Sequence, residues 1–168
     1  MTHGAEAPNV SKALYPGSFD PPHNGHLAVV ETAAALFGPV VVAVMHNPQK
    51  ATSLFTAEER VALWQESVGH LTDVEVVACD GLVVDAARDL GVDMIVKGLR
   101  VASDFEVELQ MAQTNFAVSG VRTVFLPTAP EHAFLASRYI REIAAHGGDI
   151  SGMVPPIVAK RLAERFAS

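Results

Sequence analysis

Residues 13–26, ALYPGSFDPPHNGH, are the most informative part of the sequence. Three apolar residues open this stretch, and an apolar-periodic segment, residues 27–37, follows it. That order predicts a strand, a tight polar loop and a helix. Gly17 and Gly25, with two prolines between them, supply the backbone angles that such a loop needs. Because the loop ends at a helix N-terminus, where unpaired N–H groups favour an anion, it predicts a phosphate site.

Two histidines lie where this first helix is predicted to begin. His23 and His26 can each offer an imidazole to a bound phosphate. The run His23-Asn24-Gly25-His26 resembles the signature of the nucleotidylyltransferase superfamily, in which His or Thr is followed three residues later by a second His with Gly before it. A short motif alone is weak evidence, but this one directly follows a predicted strand.

Composition places the chain among globular proteins. Its 168 residues are 49% hydrophobic and 18% charged, which predicts one packed domain and excludes a disordered chain. A net charge of −7 argues against a nucleic-acid partner, since such proteins carry a basic stripe. One cysteine excludes a disulfide framework. With no signal-peptide pattern and no apolar run near the ~20 residues of a membrane helix, we expect a cytoplasmic protein without membrane contact.

Strand and helix patterns alternate along the chain. The predicted strands are residues 13–15, 40–45, 74–78, 94–97 and 121–126. The predicted helices are residues 27–37, 56–68, 81–90, 103–118 and 134–145, with a terminal helix after Pro155-Pro156 that runs to residue 166. Capping boxes at Thr56-x-x-Glu59 and Ser103-x-x-Glu106 predict two of the helix starts. The pattern predicts a single Rossmann-like α/β domain, residues 13–168, with a five-stranded parallel sheet flanked by helices, and a flexible N-terminal extension, residues 1–12.

In a parallel sheet of this kind, ligands bind at the carboxyl ends of the strands. The residues in the loops there are Ser18, Phe19, His23 and His26 after the first strand; His46, Asn47 and Lys50 after the second; Lys97, Gly98, Leu99 and Arg100 after the fourth; and Thr128, His132, Ser137 and Arg138 after the fifth. The chain has only 12 lysines and arginines, and several fall on this one edge. Such a concentration of cations predicts an anionic substrate, because two phosphate-bearing reactants otherwise repel each other.

Six segments together resemble one family in particular. YPGSFDPPHNGH, NPQK, FTAEER, VKGLR, DFEVELQMAQTN and GGDISGMVP are similar to bacterial phosphopantetheine adenylyltransferase, over about residue 13 to the C-terminus. The resemblance implies reversible transfer of AMP from ATP to 4′-phosphopantetheine, which gives dephospho-coenzyme A and pyrophosphate in coenzyme A biosynthesis. It also implies Mg²⁺ carried by the ATP phosphates, a homohexamer, and coenzyme A as a candidate feedback inhibitor.

The resemblance implies a role for each matching residue. His26 corresponds to the catalytic ligand of the ATP α-phosphate, where an imidazole stabilises charge on the transferring oxygens. The implied ATP-binding residues are Ser18, Phe19, His23, His26, Gly98, Leu99, Arg100, Glu108, His132, Ala133, Phe134, Leu135, Ala136, Ser137 and Arg138. The implied 4′-phosphopantetheine-binding residues are Ser18, Lys50, Val83 and Lys97. No residue is implied as a metal ligand.

Individual roles follow the same correspondence. Arg100 is directed at the ATP phosphates, and Glu108 accepts from the ribose hydroxyls. Lys50 binds the phosphate of 4′-phosphopantetheine, and Val83 makes a backbone contact to the pantetheine arm. Lys97 stands where many family members have arginine, so a point charge replaces a bidentate fork.

One segment departs from the family pattern. Where relatives read Ser-Ser-Ser, this chain has Ala136-Ser137-Arg138, so two hydroxyls are lost and a cation is gained. We expect Arg138 to contact ATP in compensation; the alternative is that Arg138 points away and ATP is held by fewer hydrogen bonds. Residues 137–141 also resemble an element of nicotinamide mononucleotide adenylyltransferases, which keeps that activity as an alternative. A non-catalytic nucleotide-binding module is a further alternative, although such a module would not need Lys50 and Lys97.

The predicted mechanism has no covalent enzyme intermediate. The phosphate of 4′-phosphopantetheine attacks the ATP α-phosphorus in line, and pyrophosphate leaves. Because this nucleophile is already an anion at neutral pH, no general base is required. Catalysis is then positioning and charge stabilisation.

Overall fold

The computed structural model describes residues 11–46 and 53–167. Within these ranges the strands are β1 (Ala13–Gly17), β2 (Val40–His46), β3 (Val74–Asp80), β4 (Met94–Leu99) and β5 (Arg122–Pro127). The helices are α1 (Asn24–Phe37), α2 (Ala57–Ser67), α3 (Val83–Asp89), α4 (Ala102–Ser119), α5 (Ser137–Ala145) and α6 (Pro156–Phe166), with a 3₁₀ turn at Pro130–His132. The predicted extension falls mostly outside the described residues, so the division into extension and domain stays a prediction.

The five strands form one parallel sheet in the order β3-β2-β1-β4-β5. This confirms the predicted Rossmann-like α/β domain. The central strands are covered on both faces, since Leu14 on β1 and the run 40–44 on β2 are at most 1% exposed. Strand order reverses beside β1, whose neighbours are β2 and β4. A crevice opens at the carboxyl ends of the strands at such a point.

Apolar side chains cover the sheet in layers. Trp64 of α2 is fully buried with residues of α1 against one face, and Ala87 of α3 is buried against the other. A further apolar cluster lies between α5, α6 and the start of α2, where Ile140, Val158 and Leu162 are at most 1% exposed. The C-terminal helices are therefore packed onto α2 through a core of their own.

One predicted capping box is confirmed and the other is wrong. The Glu59 N–H donates to Thr56 Oγ1 at 3.2 Å, and the Thr56 N–H donates to Glu59 Oε2 at 2.9 Å. At the second position α4 begins earlier, and its N-cap is Val101, which has no capping side chain. Asp104, in the first turn, instead pairs with Arg100 just ahead of the helix. The helix α4 therefore begins before Ser103, the residue that the sequence pattern predicted as its cap, and its first turn carries an ion pair in place of a capping box.

The helix predicted to begin at residue 134 begins instead at Ser137. Ala136 has extended backbone angles, φ −146° and ψ 133°. Leu135 is 2% exposed, and its carbonyl accepts a hydrogen bond from Arg100 Nη1 at 2.8 Å. A distant arginine therefore uses a carbonyl of the segment ahead of α5, which keeps residues 134–136 out of the helix.

None of the residues of α4 is buried, although many of them are apolar. We define the apolar face of α4 as Val107, Met111 and Val118, which are between 44% and 68% exposed. Phe105 and Phe116 lie on the opposite side of the helix, against Phe125 and Arg122 of β5. Across the two described ranges, no helix has the length and apolar character needed to cross a membrane.

The turn after β1 is built around an aromatic ring. Phe19 has φ 49°, a left-handed conformation that is uncommon outside glycine, and its ring is 5% exposed. The ring packs 5.0 Å from Trp64 and 5.3 Å from Tyr15, centroid to centroid. It also lies so close to Gly17 that a Cβ there would sit 2.6 Å from Phe19 Cζ. Position 17 therefore requires glycine.

We expect Gly17→Ala to lower the free energy of unfolding by about 1–3 kcal/mol, because the added methyl group displaces the Phe19 ring from its packed position. Urea denaturation measures this change. Gly152→Ala is a matched control, since a Cβ at that loop position meets no atom within 4 Å; its effect should stay within about 0.5 kcal/mol. Equal midpoints for the two variants would contradict the packing constraint.

Candidate active site

A cleft of about 820 Å³ lies at the carboxyl ends of β1 and β4, between the N-terminal ends of α1, α4 and α5. Its volume suits a nucleotide-sized ligand. Most of the residues predicted for the site line this cleft. They are Ser18, Phe19, His23, His26, Lys97, Gly98, Arg100, Glu108, Ala133, Phe134, Ala136, Ser137 and Arg138.

Other predicted residues lie elsewhere. Leu99, His132 and Leu135 adjoin the cleft in sequence without lining it, and Leu135 supplies its carbonyl to Arg100. Val83 is the first residue of α3, beyond the carboxyl end of β3. Asn47 and Lys50 are outside the described residues. The roles of all these residues stay predictions.

Backbone geometry sets the proton position on His26. This residue lies in the first turn of α1, and its Nδ1 accepts a hydrogen bond from the His23 N–H at 3.2 Å. When the imidazole is neutral, its proton must then be on Nε2. The ring meets the Phe19 ring edge-on, with centroids 5.0 Å apart and planes at 81°. The cleft is thus lined by a histidine whose Nε2–H has no hydrogen-bond acceptor among residues 11–46 and 53–167.

His23 stacks on His26, with ring centroids 3.5 Å apart and planes 19° from parallel. Burial, with Arg100 and His132 nearby, lowers the pKa of His23 to about 3. Burial, followed by His23 and Arg100, also holds the pKa of His26 well below its ordinary value. Both rings are therefore neutral at pH 7 in the unliganded cleft and act as hydrogen-bonding groups.

Two cations of the cleft, Lys97 and Arg100, have carboxylate partners on α4. Arg100 Nε and Nη2 donate to the Asp104 carboxylate at 3.0 and 3.2 Å. Lys97 Nζ lies 3.3 Å from Glu108 Oε2, and both side chains are mostly buried. A phosphate that binds Lys97 or Arg100 therefore competes with a carboxylate already in place.

The segment that departs from the family pattern also faces the cleft. Arg138 Nη2 donates to the Tyr139 hydroxyl at 2.6 Å, and its guanidinium carbon lies 4.4 Å from the centre of the Tyr139 ring. Ser137 Oγ donates to the Pro21 carbonyl at 2.8 Å, which ties the start of α5 to the loop after β1. The Ser137 proton is thus engaged within the protein, whereas Arg138 is exposed at the rim.

A buried polar junction beneath the cleft was not predicted from the sequence. Arg60 of α2 is 2% exposed and donates to four backbone carbonyls. Asp20 accepts from the N–H groups of Leu54 and Phe55, and Arg141 donates to its backbone and side chain. The available signal was helical spacing, since an arginine at position 60 shares the buried face of α2 with residues 63 and 64.

The carboxylates near the cleft do not form a metal cage. In the part of the chain that the structure describes, no three His, Cys, Asp or Glu side chains converge on a point that could hold a metal ion. Asp104 and Glu108 are instead committed to Arg100 and Lys97. A divalent cation here would need oxygen ligands from the substrate, and Mg²⁺ is commonly bound in that way.

Comparison with known proteins decides the family. A family model described as cytidylyltransferase-like matches residues 14–143. Proteins named phosphopantetheine adenylyltransferase are 53% identical over 156 residues in Gloeobacter violaceus and 49% identical over 160 residues in Frankia casuarinae. The chain belongs to the phosphopantetheine adenylyltransferase family.

The alignments with these relatives are nearly full-length. They cover 92% of this chain and 96% of the Gloeobacter relative, and 93% of this chain and 98% of the Frankia relative. A relative of the same name from a Synechococcus strain is 54% identical over 155 residues, which is 92% of this chain and 97% of the relative. The predicted family and its class, nucleotidyltransferase, are confirmed.

The neutral histidines predict a loss of stability in acid. The unfolded chain binds a proton on each histidine near pH 6.5, whereas the folded pKa of His23 is about 3. Stability is therefore full above pH 6.5 and declines as the pH falls toward 3, by about 2 kcal/mol between pH 7 and 5 from His23 alone. Urea denaturation at several pH values measures this loss.

His23→Thr should reduce that loss, because it removes one of the two buried imidazoles. His70→Asn, on an exposed side chain, is the control and should keep the wild-type pH dependence. If the stability of His23→Thr fell with decreasing pH as steeply as that of the wild type, the conclusion that His23 is buried and neutral would be wrong.

Proposed function

We propose that the protein catalyses reversible transfer of AMP from ATP to 4′-phosphopantetheine, giving dephospho-coenzyme A and pyrophosphate in coenzyme A biosynthesis. The observation that carries the proposal is the neutral His26, whose Nδ1 is engaged by the backbone so that Nε2–H is left to donate. It lines a nucleotide-sized cleft together with Lys97 and Arg100. The names of the relatives at about half identity support the same reaction.

The chemical step follows from these groups. The 4′-phosphopantetheine phosphate attacks the ATP α-phosphorus in line, and the bond to the departing pyrophosphate breaks. His26 Nε2–H donates to an α-phosphate oxygen, where negative charge builds in the transition state. Lys97 and Arg100 reduce repulsion between the two anions. Since the attacking oxygen carries no proton at neutral pH, His26 does not have to accept one.

The two substrates divide the site. ATP contacts the His23–His26 pair, Arg100, the Gly98–Leu99 backbone, residues 132–138 and, through its ribose, Glu108. 4′-Phosphopantetheine contacts Lys97, Lys50 and the backbone at Val83, while Ser18 reaches both. The proposal is supported by the position of most of these residues around one cleft.

Mg²⁺ is proposed to enter with ATP. The described residues offer no protein-built cage, and the cleft carboxylates are paired with cations. The triphosphate oxygens and water would then be the ligands of the ion, whose chemistry when bound is to neutralise phosphate charge. Arg100 would share that task from the protein side.

The decisive experiment is pyrophosphate release from ATP with three acceptor conditions: 4′-phosphopantetheine, nicotinamide mononucleotide and no acceptor. We expect release only with the first. Release with nicotinamide mononucleotide alone would establish the alternative adenylyltransferase activity, and binding of ATP without any release would indicate a nucleotide-binding module. The family comparison favours the first outcome.

His26→Ala should lower kcat by about 10²-fold or more, since it removes a preorganised donor to the transition state. Steady-state kinetics with circular dichroism as a folding check measures the effect. His70→Ala serves as the matched control and should retain full turnover, because His70 is exposed and does not line the cleft. Near-normal kcat in folded His26→Ala would remove His26 from the mechanism.

Arg138 is proposed to bind the ATP phosphates in place of the missing serine hydroxyls. The residue lines the cleft, where its guanidinium donates to the Tyr139 hydroxyl, and it can offer several charge-assisted hydrogen bonds to a polyphosphate. Arg138→Ser should raise the KM for ATP about tenfold and leave the KM for 4′-phosphopantetheine nearly unchanged. Arg122→Ser, at the other end of the sheet, should alter neither value. An unchanged KM for ATP in Arg138→Ser would contradict the contact.

We further propose that the protein is a cytoplasmic homohexamer, with no nucleic-acid or membrane partner. The apolar face of α4 supports self-association, because exposed apolar patches of this kind commonly mark interfaces. Sedimentation equilibrium checks this: Val118→Glu should lower the measured mass, whereas Leu36→Glu, equally exposed on α1, should not. Coenzyme A, which carries the same pantetheine arm as the acceptor, is the proposed feedback inhibitor, and inhibition that does not compete with 4′-phosphopantetheine would contradict a shared cleft.

A further inference from the structure

Arg60 is a buried arginine whose hydrogen bonds all go to backbone carbonyls. Its Nε donates to the carbonyls of Phe55 and Thr56 at 3.2 and 3.3 Å. Its Nη1 donates to the carbonyls of Met45, at 3.1 Å, and Ser18. The side chain is 2% exposed and does not line the cleft.

Stability alone does not explain a cation at this position. Within the described residues, no carboxylate forms an ion pair with Arg60. Burial lowers the pKa of its guanidinium, and the charge of Asp20 only partly offsets that effect. Buried charged groups are often replaced by well-packed apolar ones with no loss of stability. A role in holding particular backbone atoms accounts for this arginine better.

The carbonyls that Arg60 Nη1 joins belong to two neighbouring strand ends. Met45 lies near the carboxyl end of β2, and Ser18 follows the last residue of β1. The Ser18 carbonyl belongs to the peptide that leads into Phe19, where the backbone takes its left-handed angle. Arg60 therefore fixes the orientation of the Ser18–Phe19 peptide from its buried side, away from the cleft.

The Ser18–Phe19 peptide is linked to the catalytic histidine through the Phe19 ring. The Phe19 ring meets His26 edge-on at 5.0 Å and Trp64 at 5.0 Å. On the cleft side of the same peptide lies the exposed Ser18 side chain. A rotation of the Ser18–Phe19 peptide would thus move both the histidine support and the hydroxyl that faces the ligands.

Asp20, the residue after Phe19, provides a second set of hydrogen bonds that hold the same loop. Its carboxylate accepts from the Leu54 and Phe55 N–H groups at 2.8 and 2.9 Å, and Arg141 donates to it from α5. Phe55 is therefore linked through its N–H to Asp20 and through its carbonyl to Arg60. Residues 18–20 are held to the start of α2 at two points.

We propose that Arg60 is a positioning residue of the active site, which fixes the Ser18–Phe19 peptide so that His26 and Ser18 are aligned on the reacting phosphates. This rests on the proposed function. Arg60 itself touches neither substrate. Its loss should therefore lower the rate of the bound complex more than the affinity for either substrate, because small misplacements in an active site cost up to about 10² in rate.

The test compares Arg60→Met and Arg60→Lys with Val158→Ala. The methionine variant fills a similar volume without any donor, and the lysine variant restores a charge and part of the donor set. Val158, fully buried in the α5–α6 cluster, provides a variant destabilised at a distance from the loop. Steady-state kinetics are measured for both substrates at a temperature where all variants are folded, together with amide hydrogen exchange over residues 17–20.

We expect kcat to fall about 10- to 100-fold in Arg60→Met, with each KM within about threefold of wild type. Arg60→Lys should recover part of kcat, and Val158→Ala should keep wild-type kcat. Exchange over residues 17–20 should accelerate in Arg60→Met alone. Wild-type kcat in folded Arg60→Met, or an equal fall in Val158→Ala, would overturn the proposal.

Failure of the proposed function has a different signature. If the wild-type protein forms no dephospho-coenzyme A, the kinetic comparison cannot begin, and the proposed function is wrong. The hydrogen exchange still tests the positioning role, since it needs no substrate. Unchanged exchange over residues 17–20 in Arg60→Met would overturn that role independently of the reaction.

Discussion

The packing of the Phe19 ring against Gly17 is the contact on which the candidate active site depends. A side chain at position 17 would meet the ring at 2.6 Å, so the sequence must provide glycine where the strand ends. The buried ring holds the chain in a left-handed conformation, and this turn leaves Ser18 exposed while Phe19 supports His26. The same ring therefore belongs both to the apolar core and to the floor of the cleft.

An acidic protein can create an anion site without a basic surface. The net charge of the chain is −7, yet Lys97 and Arg100 face one cleft, each paired with a carboxylate of α4. In the unliganded state these ion pairs hold the cations in place at a moderate cost in desolvation free energy. The two stacked histidines add donors rather than charge, because burial keeps them neutral. The local arrangement of these four side chains, rather than the net charge of the chain, therefore makes the cleft a candidate site for an anion.

Local patterns predicted most of the fold and most of the residues that line the cleft, and long-range contacts account for what they missed. The Thr56–Glu59 cap and the histidine loop depend on residues close in sequence, so the sequence predicted both. The start of α5 was wrong because Arg100, 35 positions earlier, occupies the Leu135 carbonyl. Arg60 was missed because two of its four partners, Ser18 and Met45, lie 42 and 15 positions away. Strand order likewise requires the tertiary fold, since any of several parallel orders fits the same alternation.

The bonds between α5 and the loop after β1 also bear on the order in which the molecule forms. Ser137 and Arg141 bind the backbone of Pro21 and Asp20, residues 116 and 121 positions earlier in the chain. Contacts of such sequence separation form late, because loop closure must come first. During synthesis, the loop with the histidine pair is made early but gains these ties only when the C-terminal helices have emerged from the ribosome. The loop after β1 is thereby fully held only after residues 137–141 have been made and have folded onto it.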